Sequence, residues 1–254
     1  MFIPLHDANN LKRIRLQYVT IALIAINAAA FLLTGFNSDE AVTAAVYGLG
    51  YVPAIINDGQ PTPAFLYVPE SLTHLTYAFL HGNLLHLGGN MLFLWVFGDN
   101  VEDALGHVRF LLFYLACAAA GAFAHGLFAP DSDVPLIGAS GAVAGIVAAY
   151  LILHPKVRVW VLAFGRVPLR VPAWIPLVLW IGLQVVMLVA AQGEAISYAA
   201  HVGGLIAGAL LVFVLRLPGV PLLDREIVAP RSAEIRAPAP EIETPRWGRD
   251  GRPY

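Results

Sequence analysis

The chain has 254 residues, of which 58% are hydrophobic and only 13% charged, with a mean hydropathy of +0.70. That is far more apolar than a soluble domain of this length requires, so the composition excludes a water-soluble enzyme and defines a polytopic membrane protein. The formal charge of −2 conceals an uneven placement of Lys and Arg, no basic patch with interleaved aromatics points to nucleic acid, and a lone Cys117 excludes an intrachain disulfide or a thiolate metal cluster.

At about 1.5 Å per residue, six stretches are long enough to cross a hydrocarbon core of roughly 30 Å, some with the help of flanking residues. In chain order they are 18–36, 81–98, 110–128, 136–153, 173–191 and 195–215. Asn37, Asp39 and Glu40 close the first, and no cleavage pattern of a signal peptide precedes it, so it reads as a retained helix. The stretch 37–80 then contains two apolar patches, 42–47 and 65–68, too short to span and separated by Pro and Gly. Short amphipathic pieces along the membrane interface are expected there. Cys117 falls within the third stretch and reads as a small packing residue.

Positively charged loops stay cytoplasmic. Lys12, Arg13 and Arg15 precede the first stretch, Arg109 lies between the second and third, and Lys156, Arg158, Arg166 and Arg170 lie between the fourth and fifth; every other Arg follows Leu215. Both termini are therefore expected in the cytoplasm, with the loop 37–80 outside. From Leu217 onward the chain holds 7 of its 18 prolines and many charges, a composition that disfavours a packed core. The expected organisation is a cytoplasmic N-terminal segment 1–17, an all-α six-helix membrane domain 18–216 carrying the outer loop 37–80, and a mobile cytoplasmic tail 217–254.

A polar side chain inside an apolar span costs energy unless it is satisfied, so intramembrane His, Asn and Ser are functional candidates. His86 and Asn90 are four apart on one face of the second helix. Ser140, in Gly138-Ala139-Ser140-Gly141, lies near the N-terminal end of the fourth, where unpaired backbone N–H groups and the helix dipole favour a developing oxyanion. His201 lies at similar depth in the sixth helix, in Ala200-His201-Val202-Gly203-Gly204. Gly141 with Gly145, and Gly204 with Gly208, have the small-xxx-small spacing that lets helix backbones approach closely. Taken singly, a GxSG run, a His–Asn pair or a glycine pair is ordinary packing, and His81 alone reads as an interfacial residue. Together they occupy three helices at their outer ends, and they describe a Ser140–His201 dyad with an oxyanion hole. No Asp or Glu lies within the six stretches to serve as a third member, which leaves packing or a neighbour such as Tyr198 to orient His201.

In these residues the chain resembles the rhomboid family of intramembrane serine proteases, in its bacterial six-helix form. The matching positions are His81, His86 and Asn90 at spacing HxxxxHxxxN, the Gly138-Ala139-Ser140-Gly141 run with Gly145 after it, and Ala200-His201-Val202-Gly203-Gly204 followed by Gly208. The Val101-Glu102-Asp103-Ala104-Leu105-Gly106 turn and His154-Pro155-Lys156-Val157-Arg158-Val159 support the match, which covers roughly 34–215. The resemblance implies a rhomboid-like bundle in a bacterial cytoplasmic membrane, with Ser140 as nucleophile and His201 as general base and acid. It implies His86, Asn90 and the Ser140 backbone N–H as oxyanion donors, transmembrane proteins as substrates, and no metal or cofactor. Two positions depart from the family pattern: Leu72 and Thr73 stand where many members have Trp-Arg, and Ala144 stands where some have a tyrosine stacked on the histidine. A binding or chaperone protein of the same fold that does not cleave is the alternative, and a transporter with a histidine proton relay is a more distant one, disfavoured by the absence of carboxylates in the spans.

Overall fold

The computed structural model describes residues 2–35, 38–57, 67–190 and 197–224. Its long helices are α1 (Tyr18–Thr34), α5 (Leu84–Leu105), α6 (His107–Phe128), α7 (Ser140–Leu153), α8 (Trp174–Ala190) and α9 (Tyr198–Leu215). Three short ones lie between α1 and α5: α2 (Asp39–Leu49), α3 (Pro53–Ile56) and α4 (Thr73–Thr76). By length and composition α6 and α9 are apolar enough to cross a membrane, while α1, α7 and α8 are shorter apolar helices. The outward surface is that of a protein dissolved in lipid: Leu32, Leu33, Phe123, Val186, Leu210 and Val214 are all exposed. In water such a surface would be an aggregation liability; against acyl chains it has no hydrophobic cost.

Helix α7 is the hub. Every residue from Gly141 to Tyr150 is buried, so a helix of 14 residues, about 21 Å long, is surrounded by its neighbours α5, α6 and α9 rather than by lipid. The packing of α9 against α6 and α7 depends on glycine. A Cβ added to Gly204 would collide with the Gly141 carbonyl, and one on Gly208 would lie 2.6 Å from the Gly145 carbonyl carbon. On the adjoining face, a Cβ on Gly203 would come within 2.6 Å of the Ala120 oxygen of α6. Gly145 in turn faces Cys117, which is fully buried and acts as a packing residue. Contact this close leaves space for no side chain between backbones.

The segment ends have local causes. Ser38 caps α2, its hydroxyl accepting from Ala41 N–H at 3.4 Å, and Asp39 and Glu40 sit in the first turn where negative charge is favoured. Asn83 caps α5 by accepting from the His86 N–H at 2.8 Å. The reversal from α5 to α6 takes a single residue, Gly106, at φ +78°, a conformation open to glycine and strained for other residues.

Three expectations are corrected. The protein is not purely helical: β1 (Phe2–Asp7), β2 (Arg158–Ala163) and β3 (Val167–Pro172) form an antiparallel sheet in the order β1-β2-β3. Val159, Val161 and Ala163 are buried while Arg158 and Trp160 point outward, a period of two that overrides the reading of this segment as a charged loop. The turn is carried by Phe164 and Gly165 at φ 53° and 68°, which suits a tight hairpin. Second, Val101 to Leu105 continue α5 instead of forming a turn, and thereby put carboxylates inside a helix. Buried Glu102 accepts from Val19 N–H (3.0 Å), Thr20 N–H (2.8 Å) and the Thr20 hydroxyl (2.7 Å), at the start of α1, and meets His107 Nδ1 at 2.5 Å. Asp103 Oδ1 accepts from the N–H groups of Lys12, Arg13 and Ile14 at 2.6–3.1 Å. Donors concentrated on each carboxylate offset its desolvation. Third, the start of the expected tail is packed. Leu217 N–H donates to Ala104 O, Asp224 N–H donates to Leu153 O, and Lys12 pairs with Asp224 at 2.7 Å; 225–254 lies outside the described residues.

Candidate active site

Ser140 is the first residue of α7, closer to the helix end than the span 136–153 predicted, so its backbone N–H has no partner within the helix. The preceding Gly138 has φ +115°, and a Cβ there would fall 2.6 Å from His86 Cε1. Only glycine combines that backbone conformation with that proximity, which explains the Gly of the Gly138-Ala139-Ser140-Gly141 run. The Gly138 N–H donates to Tyr77 O at 3.0 Å. The segment between α1 and α5 therefore holds the loop before α7: Tyr51 exchanges both backbone hydrogen bonds with Leu136, at 2.8 and 3.2 Å.

His81, His86 and Asn90 converge on this loop from the start of α5. The rings of His81 and His86 meet edge to face at 5.0 Å. Asn90 Nδ2 lies 3.1 Å from His81 Nε2, and the Ala139 N–H donates to the same nitrogen at 3.5 Å. His81 is buried, so it is a packed strut between α5 and the serine loop and not the interfacial residue that it would be alone. Asn90 is likewise buried, with its amide turned to His81.

His201 occupies the first turn of α9, as Ser140 does on α7. The two helices meet directly below: Gly204 against Gly141, then Gly208 against Gly145 one turn further. A Cβ on Gly141 would lie 3.3 Å from the carbonyl oxygen of Ala200, the residue before His201. Gly121 of α6 joins the same junction, 3.3 Å from Gly141 Cα by the same measure. Among the described residues no hydrogen bond joins Ser140 to His201. The ring of His201 is instead held from α8, where Gln184 Oε1 lies 2.7 Å from Nδ1. Trp180 stacks on the imidazole with ring centroids 6.0 Å apart and planes at 28°, and Tyr198 meets it edge-on at 6.0 Å. Ala144, where some family members carry a stacking tyrosine, is buried in a cluster with Ala148 and Leu205 against which Trp180 packs, and the ring stacked on the histidine comes from α8 instead.

The spacing of the candidate residues did not reveal Gln184 or Trp180. A signal was present for the first, since Gln184 is a polar side chain in an apolar stretch, subject to the same cost that singles out His86 and Asn90. Of the other departures, Leu72 is exposed and Thr73 is buried with its hydroxyl donating to Glu70 O at 2.6 Å.

The structure thus brings together a half-buried serine at a helix start, a histidine cluster at its loop and a glycine-seamed helix carrying a further histidine. The family model described as the Rhomboid domain matches residues 69–218. The chain belongs to the rhomboid family and is an integral membrane protein. It is 31% identical over 149 residues to "Rhomboid protein 1, mitochondrial" of Saccharomyces cerevisiae, an alignment covering 57% of this chain and 42% of the yeast protein. To "Rhomboid protease GluP" of Bacillus subtilis it is 34% identical over 161 residues, covering 61% of this chain and 28% of that protein. To "Rhomboid-related protein 2" of Mus musculus the identity is 33% over 141 residues, covering 55% and 46%. The chain thus spans less than half the length of each of these relatives.

Proposed function

We propose that this protein is an intramembrane serine endopeptidase that cleaves transmembrane segments of other membrane proteins near the outer face of the bilayer, through Ser140 and His201. The observation that carries this reading is the glycine seam: Gly204 and Gly208 of α9 lie directly against the Gly141 and Gly145 backbone of α7, and Ser140 and His201 sit one helical turn or less beyond that seam. Family membership and the likeness to a protein named a protease support it.

In this reading Ser140 Oγ adds to the scissile carbonyl as His201 Nε2 takes its proton. The oxyanion is stabilised by the Ser140 backbone N–H, His86 and Asn90. The protonated His201 then gives its proton to the leaving amine, and water, activated by the same nitrogen, hydrolyses the acyl-enzyme. A peptide carbonyl engaged in a helical hydrogen bond is shielded from attack, so substrates are segments with small or helix-breaking residues that unwind readily. Six spans, cytoplasmic termini and a bacterial cytoplasmic membrane complete the proposal, on the loop charges and the likeness to the Bacillus protein.

A fluorophosphonate probe tests the reading directly. Covalent labelling of the wild type that disappears in Ser140→Ala supports it. Folded protein in lipid that resists labelling and leaves a model transmembrane substrate intact overturns it in favour of a rhomboid-like protein that binds membrane segments without cutting them.

A further inference from the structure

Helix α8 is apolar and largely turned outward: Val178, Leu179, Leu183, Val185, Val186 and Val189 are exposed, and Pro176, Leu177 and Gln184 are its buried residues. A primary amide with 4% of its surface exposed is costly there unless its groups are satisfied. They are. Gln184 Nε2 donates to the Trp180 carbonyl of the preceding turn at 3.1 Å, and Oε1 lies 2.7 Å from His201 Nδ1.

These two contacts fix the proton on the histidine. The Trp180 carbonyl only accepts, so the end of the amide facing it must be NH₂; the reversed amide would set two oxygens against each other. The end facing His201 is therefore the oxygen, which also only accepts. His201 Nδ1 must then carry a hydrogen, and Nε2 is left as the unprotonated nitrogen of the neutral ring. Stacking of Trp180 on the imidazole holds the ring plane that this hydrogen bond needs.

We propose that Gln184 is the positioning residue of the catalytic group, holding His201 in the Nδ1–H tautomer so that Nε2 is free to take the serine proton. This rests on the assignment of Ser140 and His201 made above. A neutral amide performs the orienting task that a carboxylate performs in a Ser-His-Asp triad, and avoids placing an unpaired charge in an apolar helix.

The test uses the full chain in lipid, with imidazole-¹⁵N histidine and three variants, Gln184→Met, Gln184→Glu and His201→Ala, the last to assign the His201 resonances. In the wild type at neutral pH, His201 is expected to show a protonated Nδ1 and a bare Nε2. Gln184→Met keeps the length of the side chain and removes the acceptor; it should mix the tautomers and lower kcat on the order of 10²-fold with KM within about threefold. Gln184→Glu restores an acceptor oxygen and should recover most of kcat. A wild-type His201 protonated at Nε2, or a Gln184→Met protein with wild-type tautomer and kcat, overturns the proposal. The tautomer is read without turnover, so it is decided even if Gln184→Met fails to fold. A separate outcome, full cleavage by Ser140→Ala, would instead strike the assignment of the nucleophile.

Discussion

The Gly141 carbonyl of α7 occupies the position that a β-carbon on Gly204 of α9 would need. Ser140 immediately precedes the first of these residues and His201 lies one turn before the second, so the contact fixes how closely these two side chains approach. Gly208 repeats the arrangement against Gly145, where Cys117 closes the other side.

Enlarging Gly204 must separate the helices, because the atom in the way is backbone. Gly204→Val is expected to lower the melting temperature, by overpacking worth about 1–3 kcal/mol, and to reduce cleavage on the order of 10²-fold through misplacement of His201. Val214→Phe, on the exposed side of the same helix, should do neither. Thermal melting and cleavage assays on both variants check this, and normal activity in Gly204→Val would remove the seam from the account of the site.

Ser140 and His201 should behave as one unit. Ser140→Ala and His201→Ala are each expected to reduce turnover by a factor on the order of 10⁴ or more, with the double variant little worse than either. Multiplicative losses in the rate of substrate cleavage would contradict the dyad.

His86 and Asn90 should separate by their effect on stability. Each substitution to Ala is expected to lower turnover about 10²-fold, the usual loss for one oxyanion donor. Asn90→Ala also removes one of the two hydrogen-bond partners of buried His81 Nε2 and should cost about 1 kcal/mol of stability, whereas His86→Ala should melt near the wild type. Wild-type turnover in both would return these residues to packing alone.

Asp7 offers a pH test on the three-stranded sheet. It is buried in β1, accepting from the Tyr150 hydroxyl at 2.7 Å and from Asn100 Nδ2 at 3.1 Å, and desolvation pushes its carboxyl up to about 6, against the hydrogen bonds that lower it. The folded state therefore holds a proton that the unfolded chain has released between about pH 4 and 6. The wild type should gain stability relative to Asp7→Asn as pH falls through that window, by no more than about 3 kcal/mol, and should show a constant difference above it. Melting temperatures of both proteins from pH 4 to 8 test the sign; a difference that moves the other way would show that ionised Asp7 is the stabilised form.

Much of the site was legible in the chain because its chemistry is local. Gly138 and Ser140 are two residues apart, and the loop conformation that joins them needs glycine whatever surrounds it. His86 and Asn90 share a face by helical period alone. Gly141 with Gly145 and Gly204 with Gly208 announce close approach through their spacing, and the structure pairs them in that order. Period and charge failed where function depends on partners far along the chain. Arg158 and Arg170 are equally consistent with a charged loop and with the solvent face of a sheet, and the distant Phe2–Asp7 joins the β2–β3 hairpin as its third strand. Val101 to Leu105 lie beyond the apolar span 81–98, so nothing in the hydropathy extends the helix through Glu102 and Asp103, whose carboxylates are costly to bury without donors. Backbone donors from residues more than 80 positions away make them welcome.

Amino-acid order by itself determined the solvent and marked the apolar stretches and the polar side chains within them, since burial cost and helical period act residue by residue along the chain. Tertiary structure alone decided what orients His201. No local rule ties Gln184 to a histidine 17 positions later; the bond exists because α8 lies against α9, and in an apolar environment a buried amide must find its partners wherever the fold puts them.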